Sequence, residues 1–220
     1  TGKTSIAKIF AKMLNCENHS ESPCGHCQNC IDFQKGTHPD IIEIDAASNN
    51  GVDEVRNLIE KVKYAPIEGK YKVYIIDEVH MMSTGAFNAL LKTIEEPPAH
   101  VVFIFATTEP HKVLPTIISR CQRYDFHKVN VHDMKERLNY IVEQENIHVE
   151  DNVIETIARL ADGGMRDALS ILDQCIAYAQ NNITLDDVNE IYGIISIEEK
   201  SLLIENIVQF DGQPDSHTFP

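Results

Sequence analysis

Apolar positions along the chain follow two spacings, and their alternation predicts an α/β domain. Runs of β-branched and aromatic residues, typical of strands buried on both faces of a parallel sheet, occur at 41–45, 73–76 and 101–106. Apolar residues at helical spacing accompany these runs. The corresponding helices begin after Gly2, Gly51 and Ser83. Strands and helices that alternate across short loops predict three layers with right-handed crossovers.

From residue 128 onward the spacing is helical only. Asn130 with Asp133 resembles a capping box, and Thr184 and Asp187 cap a later helix. A small helical bundle can hold its own core, so we predict a domain boundary near residue 128. We predict an α/β domain at 1–127 and a small helical domain at 128–193. Residues 194–220 are predicted to be the start of a further helical domain, followed by a tail. Within 194–220 we expect a helix whose start is marked by Ser196 together with Glu199.

Composition and charge restrict the class of protein. The chain has 220 residues, of which 24% are charged, and no apolar run approaches the ~18 residues of a membrane-spanning helix. Nothing resembles a signal peptide, so we expect a cytoplasmic globular protein without a membrane partner. The net charge of −15 argues against a surface that binds nucleic acid through bulk charge, and it leaves a local basic groove as the alternative.

The strand at 73–76 runs directly into two carboxylates, Asp77 and Glu78. A parallel sheet binds ligands beyond the carboxyl ends of its strands. At that edge Asp77 is suited to hold Mg²⁺, and Glu78 is suited to polarise an attacking water. The alternative is a strand followed by a helix-capping acid, because a motif this short has many false positives.

A phosphate-binding loop is predicted at the start of the sequence, where Gly2, Lys3, Thr4 and Ser5 precede a helix. Lys3 would reach the β- and γ-phosphates of a nucleotide, and the Thr4 hydroxyl would bind Mg²⁺. The helix carries apolar residues at helical spacing, namely Ile6, Ile9, Phe10, Met13 and Leu14. The full motif needs a glycine before Thr1, so we expect the sequence to begin inside the loop. A chance match is the alternative, and the later Asp77-Glu78 pair favours a nucleotide site.

Four cysteines predict a metal site at residues 16–30. Their spacing is C-x7-C-x2-C-x2-C, and they are Cys16, Cys24, Cys27 and Cys30. Four thiolates can surround one Zn²⁺ tetrahedrally at ~2.3 Å and leave no open coordination position, so we expect a structural zinc. The clustering fits a reduced compartment better than a disulfide framework. His19 and His26 are alternative ligands, although solvated histidines in a polar loop are the simpler explanation.

Three further residues are candidates for nucleotide chemistry. The strand at 101–106 leads into Thr107, whose hydroxyl is suited to orient the attacking water or to sense the γ-phosphate. Arg120 precedes a short predicted strand at 122–126, and its guanidinium could complete a phosphate site or form an ordinary surface ion pair. Arg166 lies at a helix start, where a cation is unfavourable for the helix itself, which favours a functional role.

Taken together, these motifs resemble the tau/gamma subunits of the bacterial DNA polymerase III clamp loader, a family of AAA+ ATPases. The resemblance covers nearly the whole chain. Besides the four cysteines it rests on Gly2-Lys3-Thr4, Asp45-Ala46-Ala47-Ser48, Asp77-Glu78-Val79-His80-Met81, Ala106-Thr107-Thr108, Ser119-Arg120-Cys121 and Gly164-Met165-Arg166-Asp167-Ala168. The cysteine knuckle and the Ser-Arg-Cys motif together are specific to clamp-loader subunits among AAA+ proteins.

The resemblance implies an AAA+ P-loop NTPase fold, in which a three-layer parallel-sheet domain with a zinc knuckle is followed by a small helical lid domain. It also implies the ATP-hydrolysing subunit of a pentameric loader that places a sliding clamp on primed DNA, with polymerase core as a partner through other regions. ATP, Mg²⁺ and Zn²⁺ are the implied cofactors. Arg120 would reach the ATP of a neighbouring subunit, and Arg166 would contact the nucleotide of its own chain.

Two departures from the family pattern set further expectations. The first sheet strand, the adenine-contacting segment and the leading loop glycine are not in the sequence, and the collar domain stops early. We therefore expect residues 1–220 alone to bind and hydrolyse ATP weakly. Two rival functions stay open, namely a non-catalytic scaffold subunit of a clamp loader and another AAA+ DNA-processing motor such as a branch-migration helicase.

Overall fold

Two units make up the computed structural model, which describes residues 1–150, 152–179, 182–194 and 197–211. The first unit is Gly2–Phe126, and the described residues from His127 onward belong to the second. Among all described residues, no helix is long and apolar enough to cross a membrane.

A parallel sheet of three strands organises the first unit. The strands are β1 (Ile41–Asp45), β2 (Lys72–Asp77) and β3 (Val101–Phe105), in the order β1-β2-β3. The helices are α1 (Lys3–Leu14), α2 (Gln28–Gln34), α3 (Val52–Val62), α4 (Thr84–Glu95) and α5 (Pro115–Ile118). The register places Asp45 beside Asp77, so the carboxyl ends of β1 and β2 meet at one edge. The predicted parallel α/β architecture is confirmed.

Alternation along β2 divides the core between the two faces of the sheet. Val73 and Ile75 pack with Ala7 and Ala11 of α1, whereas Tyr74 and Ile76 face the cluster formed with α3 and α4. That second cluster includes Val55, Leu58, Phe87 and Leu90. Because successive strand residues point to opposite faces, the apolar strand β2 supplies core residues to the helices on both faces of the sheet.

Helix α1 meets the sheet through its small residues and not through its bulky ones. Ala7 and Ala11 are buried, and Leu14 is partly buried beside them. The remaining apolar side chains predicted from the helical spacing are exposed, namely Ile6, Ile9, Phe10 and Met13. Alanines let a helix lie close to a sheet, so the contacting face is the one with little side-chain volume.

Two expectations about strands are wrong. Residues 122–126 are exposed and form no strand, because they make no backbone hydrogen bonds to a neighbouring strand in the described part of the chain. The region after residue 128 is not purely helical, since β4 (His148–Val149) pairs with β5 (Asn182–Ile183) as a short parallel ladder. Two residues are too short to give an alternation that a sequence pattern can reveal.

Besides the β4-β5 ladder, the second unit contains helices, most of which surround a core of its own. They are α6 (Val131–Gln144), α7 (Val153–Leu160), α8 (Met165–Ala179), α9 (Leu185–Tyr192) and α10 (Ile197–Asp211). The core includes Met134, Leu138, Ile157, Leu172 and Val188. Asn130 caps α6 by accepting from the Asp133 N–H at 2.8 Å, and Thr184 with Asp187 forms a complete capping box on α9. The predicted start at Ser196, the side chain of Glu199 and the tail at 212–220 lie outside the described residues.

Buried polar side chains fix the loops at the amino edge of the sheet. Both oxygens of the fully buried Asp40 carboxylate accept backbone hydrogen bonds, from the N–H groups of residues 67–69 at 2.7–2.8 Å. Burial opposes the charge, but these three donors hold the pKa of Asp40 below its ordinary value. Asn15, just after α1, exchanges two hydrogen bonds of 2.8 Å with the backbone of Tyr71. The hydrogen bonds of Asp40 and Asn15 therefore stabilise the loops at this edge of the sheet.

Candidate nucleotide and metal sites

Helix α1 brings Thr4 to the carboxyl end of β2. The Thr4 hydroxyl donates to Asp77 Oδ2 at 2.7 Å, and the Glu78 N–H donates to Asp77 Oδ1 at 2.9 Å. Gly2 precedes the helix with a φ of 85°, a left-handed conformation that suits glycine. No side chain caps the helix, so its first N–H groups are open to an anion. The structure therefore joins two predicted parts, the phosphate loop and the strand-end carboxylate.

A cavity of about 310 Å³ lies beside this contact. Thr4 and Asp77 line it together with an ion pair that the sequence analysis did not anticipate, in which Lys8 Nζ lies 2.7 Å from Glu43 Oε2. Asp45 also lines the cavity, and its carboxylate accepts from the Ala47 N–H and the Ser48 hydroxyl. Lys3 begins α1 and forms no ion pair with any described residue. The neighbouring Ser5 is exposed.

Glu78 is held at one of its two oxygens. Its backbone adopts a φ of 44°, which is uncommon for a residue with a side chain. Its Oε2 accepts from the Thr108 N–H at 3.2 Å and from the Thr108 hydroxyl at 2.9 Å. The predicted Thr107 lies next to this contact, with its hydroxyl 2.9 Å from His80 Nδ1. The structure thus brings the predicted Glu78 and Thr107 together and adds Thr108 and His80, which the sequence analysis missed.

The two predicted arginines belong to different units of the structure. Arg120 follows α5 and is 39% exposed. Its guanidinium lies 2.9 Å from Glu95 Oε1 and donates to the Thr116 carbonyl at 2.7 Å, so within its own chain it makes the surface ion pair considered as an alternative. Arg166 is exposed near the start of α8, in the second unit. The nucleotide roles of both arginines stay predictions.

The four predicted cysteines come together in one cluster. Their sulfur atoms all lie within 4.8 Å of one another. Backbone N–H groups point at two of these sulfurs, from Cys24 to Cys16 and from Cys27 to Cys24, each at 3.4 Å. The bond from Cys24 lowers the pKa of Cys16 to about 6, whereas burial raises the pKa of Cys30 to about 12. Sulfurs this close cannot all ionise without a cation, and Zn²⁺ bound to four thiolates fits this donor set.

The oxygen donors at the carboxyl edge fit a different ion. A hydroxyl and a carboxylate that already touch are hard ligands of the kind that Mg²⁺ prefers, usually beside phosphate oxygens. The uncapped helix start and Lys3 would supply the matching charge for those phosphates.

Comparison with family models decides the relationship. Residues 1–130 match the family described as DNA polymerase III, delta subunit. Residues 133–181 match the family described as DNA polymerase III clamp loader subunit, ATPase lid domain. The chain belongs to the family of DNA polymerase III clamp-loader subunits. The resemblance inferred from the motifs is therefore confirmed.

Curated clamp-loader relatives agree with this assignment. The chain is 57% identical over 197 residues to DNA polymerase III subunit tau of Bacillus subtilis, which covers 89% of the chain and 35% of that relative. It is 44% identical over 213 residues to subunit tau of Escherichia coli, which covers 96% of the chain and 33% of the relative. The chain thus spans about a third of the length of these relatives.

Solved structures identify the fold of this clamp-loader subunit. The chain superposes on the RuvB Holliday junction branch migration motor of Thermotoga maritima with a TM-score of 0.60 at 17% identity, covering 97% of the chain and 67% of RuvB. A mutant form of the same Thermotoga protein gives a TM-score of 0.58 at 18% identity, with 97% and 76% covered. At this identity the likeness concerns the fold alone, and it confirms the AAA+ P-loop fold.

Proposed function

We propose that this chain is the ATP-hydrolysing motor part of a DNA polymerase III clamp-loader subunit, which uses ATP to place a sliding clamp on primed DNA. The observation that carries the proposal is the 2.7 Å contact between Thr4 and Asp77. It joins the phosphate loop to the strand-end carboxylate, and a scaffold subunit without ATPase activity has no need of that pair. The family membership supports the same function.

Each residue of the loop and the strand end has a role in the proposed site. Gly2 and Ser5 contact the phosphates through the backbone at the helix start, and Lys3 neutralises their charge. Thr4 and Asp77 hold Mg²⁺, which balances the charge that develops on the phosphate oxygens. Glu78 polarises the attacking water, since it lies one residue beyond the metal ligand and keeps an oxygen open. Thr107 orients that water or contacts the γ-phosphate.

The two arginines extend the proposal beyond a single chain. Arg120 contacts the ATP of a neighbouring subunit, and the partial exposure of its side chain supports that role. Arg166 contacts the nucleotide of its own chain from the lid. Hydrolysis then depends on assembly, because each complete site takes one cation from its neighbour. The partners are the other subunits of the loader, the clamp and primed DNA, with polymerase core engaged elsewhere in the full-length protein.

The four cysteines hold one structural zinc ion in this proposal. Four sulfur ligands close the coordination sphere, so the ion contributes folding free energy and takes no part in hydrolysis.

Clamp loading by the assembled complex tests the function. Full-length protein would be combined with its partner subunits, clamp, primed DNA and ATP, and clamp bound to DNA would be measured together with released phosphate. We expect ATP-dependent loading that Lys3→Ala in every ATPase subunit abolishes. Loading that continues in that variant would contradict the motor role and favour a scaffold.

A further inference from the structure

His80 links two acidic side chains at the carboxyl edge of the sheet. Its Nδ1 lies 3.3 Å from Glu78 Oε2, and its Nε2 lies 3.1 Å from Glu109 Oε2. The His80 side chain is only 6% exposed, whereas the side chains of Glu78 and Glu109 are 36% and 35% exposed. A nearly buried imidazole therefore bridges two carboxylates that solvent can reach.

The same ring contacts the turn that follows β3. Its Nδ1 lies 2.9 Å from the Thr107 hydroxyl, which also accepts from the Glu109 N–H at 3.0 Å. The next residue, Thr108, donates to Glu78 Oε2 through both its N–H and its hydroxyl. Ring and turn thus hold the same oxygen of Glu78 from two directions.

The two nitrogens of the imidazole ring explain why a histidine suits this position. A proton on Nδ1 lets the ring donate toward Glu78 and Thr107, and a proton on Nε2 lets it donate to Glu109. The hydrogen bond from Lys112 lowers the pKa of Glu109, so a charged carboxylate lies 3.1 Å from His80 Nε2. Serine, threonine and tyrosine have a single O–H donor, and the two donors of glutamine share one nitrogen, so none of them reaches in opposite directions from a rigid frame.

Holding Oε2 leaves the other oxygen of Glu78 available for chemistry. Within the described residues, Glu78 Oε1 accepts no hydrogen bond. We propose that His80 is a positioning residue which, with Thr108, holds Glu78 Oε2 so that Oε1 faces the attacking water, while Glu109 in turn orients the His80 ring. This inference rests on the proposed ATPase function, because it concerns the step assigned to Glu78.

Steady-state ATP hydrolysis by the full-length protein in its assembled complex tests the role. His80→Ala should lower kcat about 10- to 100-fold, the size of effect expected when a catalytic group is misplaced, and leave KM for ATP within about twofold. His80→Gln keeps a donor toward Glu78 and should recover part of the loss. Glu109→Gln should lower kcat less than His80→Ala does.

A double variant and a matched control separate positioning from general disturbance of the turn. If Glu109 acts through the ring, Glu109→Gln should cause no further loss in a His80→Ala background, because interacting residues are not additive. His111 lies 3.8 Å from the same Glu109 carboxylate but is 73% exposed, so His111→Ala should keep kcat within about twofold. Thermal unfolding and ATP binding of each variant verify that it is folded.

Each outcome bears on the inference. Wild-type kcat in both His80 variants overturns it, as does an equal loss in His111→Ala, or full additivity of the Glu109 and His80 changes. If His80→Ala does not fold, His80→Gln and Glu109→Gln carry the same test, and unchanged kcat in both overturns the role. Absence of hydrolysis in the wild-type assembly overturns the proposed function as well, whereas a failure confined to the His80 and Glu109 variants leaves that function standing.

Discussion

Opposite edges of the same sheet use their carboxylates in opposite ways. At the amino edge, Asp40 is fully buried and both of its oxygens accept backbone hydrogen bonds. At the carboxyl edge, Glu78 has one oxygen held by Thr108 and His80, and the other has no partner among the described residues. A carboxylate with every acceptor site filled fixes the chain, whereas one with a site left open can act on a ligand.

The cysteine cluster belongs with the amino edge in this comparison. Asn29, between Cys27 and Cys30, lies 3.1 Å from His38 Nε2, and His38 Nδ1 accepts from the Asp40 N–H at 3.1 Å. One chain of hydrogen bonds thus joins Asn29, His38 and the Asp40 backbone at this edge. The edge at which we propose chemistry is therefore the one whose carboxylate keeps an acceptor oxygen without a partner among the described residues.

The largest expected effect comes from removing the metal at the amino edge. Reduced protein should contain one zinc per chain, and a chelator should lower Tm by roughly 20 °C or more, since structural zinc is worth about 10–16 kcal/mol in small peptides and 1 kcal/mol shifts Tm by about 2–4 °C at this length. Cys30→Ser should abolish zinc binding, whereas the exposed Cys121→Ser should retain it. Protein without zinc and with unchanged Tm would show that this edge does not need a metal.

The next largest effect concerns Arg120, the cation that we propose a neighbouring subunit supplies to the carboxyl edge. Arg120→Ala should leave ATP binding intact and lower hydrolysis in the assembled loader about 10³- to 10⁵-fold, the range for an arginine supplied by a neighbour. The exposed Arg123, paired with Asp125 at 2.7 Å, is the matched control, and Arg123→Ala should keep the wild-type rate.

Mixed assemblies decide whether Arg120 acts on a neighbouring subunit. Subunits with Arg120→Ala, combined with subunits that carry Lys3→Ala, should recover some hydrolysis. A site with an intact Lys3 then meets a neighbour with an intact Arg120. If mixed assemblies form but hydrolyse no faster than either parent, Arg120 works within its own chain or only structurally.

A smaller effect tests the structural role of Asp40. Asp40→Asn should lower the free energy of unfolding by roughly 3 kcal/mol, because an amide leaves at least one of the three N–H donors that now bond the buried carboxylate poorly satisfied. Asp53 on α3 has a side chain that is 88% exposed, so Asp53→Asn should change the free energy by less than about 0.5 kcal/mol. Urea denaturation of the full-length chain measures both, and an equal response would remove the contrast between the edges.

The pH dependence of the same variant follows from the lowered pKa of Asp40. The folded-state pKa lies below the ordinary value of 3.8, so the stabilisation is complete above that value and is lost as pH falls through the folded-state pKa. The difference between the wild type and Asp40→Asn should therefore be constant near neutral pH and shrink well below pH 4. A difference that grows on acidification would contradict the assignment.

Much of the fold could be predicted because the three strands have strongly apolar sequences and the starts of α4, α6 and α9 carry capping side chains. The same reasoning found Thr4, Asp77 and the four cysteines, since each belongs to a motif with fixed spacing. It failed for residues 122–126, where strand propensity gave no information about a pairing partner. It also identified the helix α1, but periodicity does not show which face of a helix meets the sheet.

The contacts that His80, Thr108 and Glu109 make around Glu78 could not be predicted from the spacing of residues in the sequence. His80 and Glu109 lie on different loops, which hydrogen bonds such as that from the Val79 N–H to the Ala106 carbonyl bring together in the folded chain. Thr108 differs from Thr107 by one position, and the backbone turn alone decides which hydroxyl contacts Glu78. The motif Asp-Glu-Val-His places a histidine close to two adjacent acidic residues, which hinted at a role for His80. Its contact with Glu109 is seen only in the structure.

Measuring ATP binding separately from ATP turnover tests whether Glu78 acts in the hydrolytic step. Nucleotide titration and phosphate release would be measured on full-length Glu78→Gln and Lys3→Ala in the assembled loader. Glu78→Gln should bind ATP within about threefold of the wild type and turn it over about 10²- to 10⁴-fold more slowly, because the amide keeps the shape but cannot accept a proton. Lys3→Ala should weaken binding itself, since its charge acts on the bound phosphates. Wild-type turnover in Glu78→Gln would contradict the assignment of chemistry to the open carboxylate.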